Sequence, residues 1–212
     1  MNNHKQIFST IYENKVWSNS DTVPLSGRGS TLKSSIKYIT FLQNIINNKS
    51  NNINSILDLG CGDWTFSQHI NLTDKFYLGV DCVKNQIMKN NTNYSVPNNI
   101  QFLYMDITNL SQLSILKDFD LVILKDILQH WSNEEIINVL NQLLKNNYKY
   151  ILMVNDYKQK RQHRSIHNKF RFSALNSKMY PLNKYKIKTL FYYGYKEVSI
   201  IENTSIELYI SK

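Results

Sequence analysis

At 212 residues the chain is long enough for one well-packed domain, and two would each be small. A hydrophobic share of 42% with 12% aromatics excludes global disorder, and no apolar run of about 18 residues exists to form a membrane-spanning helix. The formal charge of +9 is carried largely by lysines scattered among Asn and Ile, a compositional bias that by itself defines no nucleic-acid site.

Met1 to Thr10 is polar and does not read as a signal peptide. The only cysteines, Cys61 and Cys82, suggest no disulfide framework, so a reducing, cytoplasmic compartment is expected (host cytoplasm, if the source is viral). Leu32, Ile36, Ile39, Leu42 and Ile46 recur at helical spacing and predict an amphipathic helix ending in the Asn-rich loop 47–54. Short apolar runs then alternate with helical patterns: Ser55–Leu59, Phe76–Val80, Ile100–Met105, Leu121–Leu124 and Tyr150–Val154. Such runs suit parallel strands buried on both faces, and their alternation with helices predicts a doubly wound α/β sheet.

Ser132 and Glu135 have capping-box spacing, and Trp131 with Ile136 has hydrophobic-staple spacing. A helix beginning near Ser132, with Ile136, Leu140, Leu143 and Leu144 as its apolar face, leaves Lys125 to Trp131 as the connection out of the fourth strand. Beyond Tyr193, Glu197–Ile201 and Ile206–Ile210 read as a closing antiparallel pair, giving about seven strands in all. The expected organisation is a single domain over 1–212. It has N-terminal helices and a lid over 1–50, a cofactor-binding core over 51–157, and a basic substrate-side segment with closing strands over 158–212.

Ile56-Leu57-Asp58-Leu59-Gly60-Cys61-Gly62-Asp63-Trp64 is a buried strand running into a tight glycine turn, where a side chain would block a ligand's approach to the backbone. Asp81 ends the next strand, near the ~20-residue offset at which a carboxylate can take ribose hydroxyls, and Asp106 follows the third. Three acids at three successive strand ends predict a nucleoside-cofactor site. A dinucleotide fingerprint would need glycine at Thr65 and lacks it.

With these residues the chain resembles the class I S-adenosylmethionine-dependent methyltransferases, most specifically in Leu57–Phe66, Tyr77–Val83, Leu121–Trp131 and Met153–Tyr157. More narrowly it looks like a group of small bacterial and viral-type methyltransferases associated with polysaccharide or glycan modification. Val16-Trp17 followed by Ser26-Gly27-Arg28-Gly29-Ser30 carries that likeness, and Trp64 stands where many members have a third glycine. The resemblance implies a Rossmann-like fold with S-adenosyl-L-methionine as cofactor. The backbone of Gly60, Cys61 and Gly62 would approach its methionine portion, and Asp58 would orient the amino group. Asp81 would take the ribose hydroxyls, and Asp106, with the Ile107 backbone, the adenine. Cys82 would lie near the adenine or simply pack, Arg28 would pair with the methionine carboxylate or stay solvated, and Trp17 would cover the cofactor or anchor an N-terminal helix. Asp63, Trp64 and Lys125 complete the expected cofactor-binding set.

Methyl transfer needs in-line positioning and, for a hydroxyl acceptor, a base. His130, after the fourth strand, is the expected base, and Asp126, four residues earlier, the group that orients it. Lys158–Arg171, including His163 and His167, reads as a solvated loop or a flap gripping anionic groups. That histidine pair has no acidic or cysteine ligand near it in sequence, so no metal is expected. The expected acceptor is a sugar, glycan or nucleotide-linked sugar. RNA or an RNA cap is the alternative, a non-catalytic cofactor-binding regulatory module the third reading, and an oxidoreductase the weakest.

Overall fold

The computed structural model describes residues 4–18, 20, 22–146, 148–158 and 174–202. Among the described residues seven strands form a mixed sheet in the order β3-β2-β1-β4-β5-β7-β6, and the chain divides into two compact units at Asp106/Ile107.

In the first unit, β1 (Ser55–Leu59), β2 (Phe76–Asp81) and β3 (Ile100–Tyr104) are parallel, from Ser55 opposite Phe76 to Leu59 opposite Val80, and from Tyr77 opposite Ile100 to Asp81 opposite Tyr104. β1 is buried almost throughout, whereas β3, at the sheet edge, buries only Phe102 well. The unit also holds α1 (His4–Glu13), α2 (Leu32–Asn47) and α3 (Lys84–Tyr94). Helix α2 starts where Thr31 Oγ1 accepts from the Ser34 N–H, an N-cap that satisfies one orphan donor. Its buried stripe is Ser35, Tyr38, Ile39, Leu42, Ile45 and Ile46, while Leu32 and Ile36 face solvent. The expected helix is present, with its inward face rotated because Tyr38 and Ile45 bury more than its first-turn residues.

In the second unit, a short helix α4 (Leu110–Leu113) precedes β4 (Leu121–Lys125), which pairs in parallel with β5 (Tyr150–Asp156). Helix α5 (Asn133–Lys145) lies between them in sequence and begins with the full capping box. Ser132 Oγ accepts from the Glu135 N–H, and the Glu135 carboxylate accepts from the Ser132 N–H. Ile136, Val139, Leu140 and Leu143 are buried; Leu144, expected among them, is exposed. A closing antiparallel pair is present, as expected. It is β6 (Lys188–Tyr193) with β7 (Lys196–Glu202), joined at Gly194-Tyr195, and β7 also runs antiparallel to β5. Gly194, at φ 54, supplies the left-handed backbone that a two-residue hairpin turn requires. The expected strand Ile206–Ile210 lies outside the described residues.

Candidate functional site

The carboxyl ends of β1, β2 and β3 gather the acids that the sequence singled out. The glycine turn after β1 is held from below. The N–H groups of Gly60 and Cys61 donate to the Val80 carbonyl at 2.7 and 3.1 Å, and Gly62 N–H donates to Asp81 Oδ2 at 3.0 Å. Asp81 Oδ1 accepts from the Val83 N–H at 2.9 Å, so one carboxylate fixes both the turn and the start of α3. Burial pushes its pKa up against the pull of these backbone donors. Asp58 is buried and accepts the Tyr77 hydroxyl at 2.6 Å. Cys82 lies between two acids, its thiol pushed up by burial and then by Asp81 and Asp106, with Lys5 opposing.

This turn differs chemically from a phosphate cradle. Such cradles present free backbone N–H groups to an anion. Here the donors of Gly60, Cys61 and Gly62 are all engaged within the protein, and carboxylates surround them. A ligand at these strand ends is therefore favoured if it brings hydroxyl and ammonium donors and positive charge, as an adenosyl sulfonium amino acid does. The residues present fit that group.

Two expected contacts take a different form. The Cys61 side chain is buried toward the sheet, where a Cβ on Gly79 would lie 3.0 Å from its sulfur and 2.8 Å from Phe102, so only its backbone faces the turn. Trp64 is 4% exposed and packs among Tyr77, Tyr94 and Phe102, with ring centroids 4.9 to 5.7 Å away. Its φ of 57 is the left-handed conformation that a glycine would adopt freely. Aromatic burial offsets that strain, and the indole points into the core rather than toward a ligand.

The segment before β1 closes on the same turn. Ser26 donates to Asp63 from its N–H at 3.0 Å and from its hydroxyl at 2.7 Å, so Asp63 serves to tie this segment down. A Cβ on Gly62, at φ 60, would lie 3.1 Å from the Tyr12 hydroxyl and 3.4 Å from Ser26 Cβ. The Asn90 amide donates to the Gly62 carbonyl at 2.8 Å. Glycine is thus required here by the protein's own packing. Trp17 packs on Phe8 and Tyr12 and against Gly27, which favours the anchoring role over a free lid. Arg28 is exposed, in a short 3₁₀ turn. Tyr12 and Asn90 had no signal in sequence spacing, because each reaches the turn from a distant helix, whereas Ser26 belongs to the segment Ser26–Ser30 that carries the resemblance.

In the second unit, Lys125, Asp126, Lys196 and Asp156 form a chain of ion pairs at the ends of β4 and β5 and the start of β7. Lys125 Nζ meets Asp126 Oδ2 at 2.7 Å; Lys196 Nζ meets Asp126 Oδ1 at 2.5 Å and Asp156 Oδ1 at 2.8 Å. Burial works against the ionised Asp126, but the two ammonium groups outweigh it and hold its carboxyl well below the usual range. For Asp156 burial wins and its pKa is raised. The expectations for two residues change accordingly. Both oxygens of Asp126, expected to orient His130, are engaged by lysines, and Lys125, expected near the cofactor, is buried against Asp126.

His130 is half-buried and ends a 3₁₀ turn, Leu128–His130. Asp126 N–H donates to the Val154 carbonyl at 2.8 Å, and buried Gln129 accepts the Asp156 N–H at 2.8 Å. The Asp126 carboxylate therefore acts on this loop as an anchor, with Gln129, Lys196 and Asp156 as partners that the sequence reading missed. Ile107 is buried, and Asp106 half-buried. Of the basic stretch, 159–171, with His163 and His167, lies outside the described residues. Among the described residues no cluster of His, Cys, Asp and Glu could hold a metal, and no helix is long and apolar enough to cross a membrane.

A doubly wound sheet with an acid-lined glycine turn after its first strand defines a nucleoside-cofactor-binding α/β protein. The methyltransferase-domain family matches residues 50–195, and the chain belongs to it: it is an S-adenosylmethionine-dependent methyltransferase. No curated protein matches the sequence. Among similar solved structures is the N-methyltransferase NodS from Bradyrhizobium japonicum WM9 in complex with S-adenosyl-L-homocysteine. Identity is 10%, over 93% of this chain and 99% of that one, with a TM-score of 0.64. Magnesium protoporphyrin IX methyltransferase from Synechocystis PCC 6803, with bound S-adenosylmethionine, gives 16%, 92%, 94% and 0.57 for the same four measures. The methyltransferase domain of bacterial CtHen1-CN gives 10%, 82%, 100% and 0.61. At these identities the likeness is one of fold.

Proposed function

We propose that the chain methylates a hydroxyl of a sugar, glycan or nucleotide-linked sugar, with the donor held at the ends of β1 to β3. The observation that carries the donor placement is the turn whose backbone N–H groups are already engaged and whose neighbours are carboxylates. In this reading Asp81 receives the ribose hydroxyls, Asp58 the amino group, and Asp106 the adenine amino group. S-adenosylmethionine bound there supplies a methyl activated by positive sulfur. The protein's own task is to position the acceptor and remove its proton.

His130 takes that proton on a ring nitrogen, imidazole being the side chain whose ordinary pKa suits the role near neutrality. Its loop is anchored by Asp126 and Gln129, which favours a fixed imidazole position. The sugar acceptor rests on the resemblance carried by Trp17 and Ser26–Ser30. A transfer assay with methyl-labelled donor over sugars, sugar nucleotides, oligosaccharides and RNA tests it. Label is expected in a sugar hydroxyl. Label in RNA alone would replace the acceptor, and donor binding without transfer to any of them would favour a regulatory module.

A further inference from the structure

Helix α1 lies over the strand ends that the donor is proposed to occupy. Near its start, Lys5 Nζ stands 4.9 Å from the ring centroid of Tyr104, the last residue of β3. Near its end, the Tyr12 hydroxyl stands at Gly62, beyond β1. Lys5 and Tyr12 are seven residues apart, two helical turns, and so share a face about 10 Å long. Two inter-strand spacings, from β1 across β2 to β3, also measure about 10 Å. One face of the helix therefore reaches the end of β3 through Lys5 and the turn after β1 through Tyr12, and the Asp81 carboxylate is near enough to act on the Tyr12 hydroxyl.

We propose that α1 is the roof of the donor crevice and that the Tyr12 hydroxyl is a binding donor to the carboxylate of the donor's methionine part. This deepens the placement given above and rests on it. Hydrogen-bond supply supports this role. A ligand carboxylate beside this turn needs donors, and the turn's own N–H groups are engaged with Val80 and Asp81. Tyr12 brings an O–H to the same spot from outside the turn. The phenol remains protonated at neutral pH, since burial and then Asp81 and Asp63 push its pKa well above the usual value. Its ring is fixed edge-on to Trp17, 6.0 Å between centroids, so the hydroxyl is held in place before a ligand arrives.

The test is calorimetric titration of wild type and Tyr12→Phe with two ligands, S-adenosylhomocysteine and methylthioadenosine, the second lacking the amino-acid carboxylate. Phenylalanine keeps the ring and its packing on Trp17, and matched melting temperatures without ligand confirm the fold. Tyr12→Phe is expected to weaken S-adenosylhomocysteine about tenfold or more, as loss of a hydrogen bond to a charged group does, and to leave methylthioadenosine unchanged. Protection of α1 amides from hydrogen exchange by S-adenosylhomocysteine is expected alongside. Equal weakening of both ligands, or of neither, overturns the role of Tyr12, and unchanged α1 exchange overturns the roof. If wild type binds neither ligand, the donor placement fails first and this inference falls with it.

Discussion

Asp81→Ala is expected to lower S-adenosylhomocysteine affinity by about 30- to 150-fold, on the order of 2–3 kcal/mol for two hydroxyl bonds to a carboxylate. The same oxygens accept the Gly62 and Val83 N–H groups, so their removal also loosens the turn that the ligand meets. Both consequences act at the donor site, and both weaken binding. A calorimetric titration reads the loss, with the variant's melting temperature reported beside it to separate binding from folding. Unchanged affinity would remove Asp81 from the site.

His130→Ala is expected to act on a different quantity. A positioned base contributes about a hundredfold or more to proton transfer, so kcat should fall by that factor while S-adenosylhomocysteine affinity stays near wild type. The residue ends a 3₁₀ turn and leaves the capping box of α5 intact, because Ser132 and Glu135 make that box themselves. The substitution should therefore cost little stability. Full turnover in the variant would reduce His130 to a loop residue and leave the acceptor's proton to another group.

Local rules carried most of the fold. Strands β1 to β5 and helix α5 follow from apolar runs and a capping box that are complete within a few residues. The closing pair did not follow as readily. Lys188–Tyr193 alternates weakly, and its signal was the hairpin turn at Gly194 rather than its own pattern. The acids of the site were legible because strand ends are legible. Their partners were not, since Lys196 reaches Asp126 and Tyr12 reaches Gly62 across long stretches of chain. Trp64 illustrates the same gap from the other side. Its position in the motif suggested ligand contact, while its left-handed backbone turns the indole into the core.

A crystal structure of the chain with S-adenosylhomocysteine tests the central placement most directly. The ribose hydroxyls are expected within hydrogen-bonding distance of Asp81, with the amino-acid end against the Gly60–Gly62 turn beneath Tyr12. Density for the ligand elsewhere, with Asp81 touching only its own backbone partners, would contradict it.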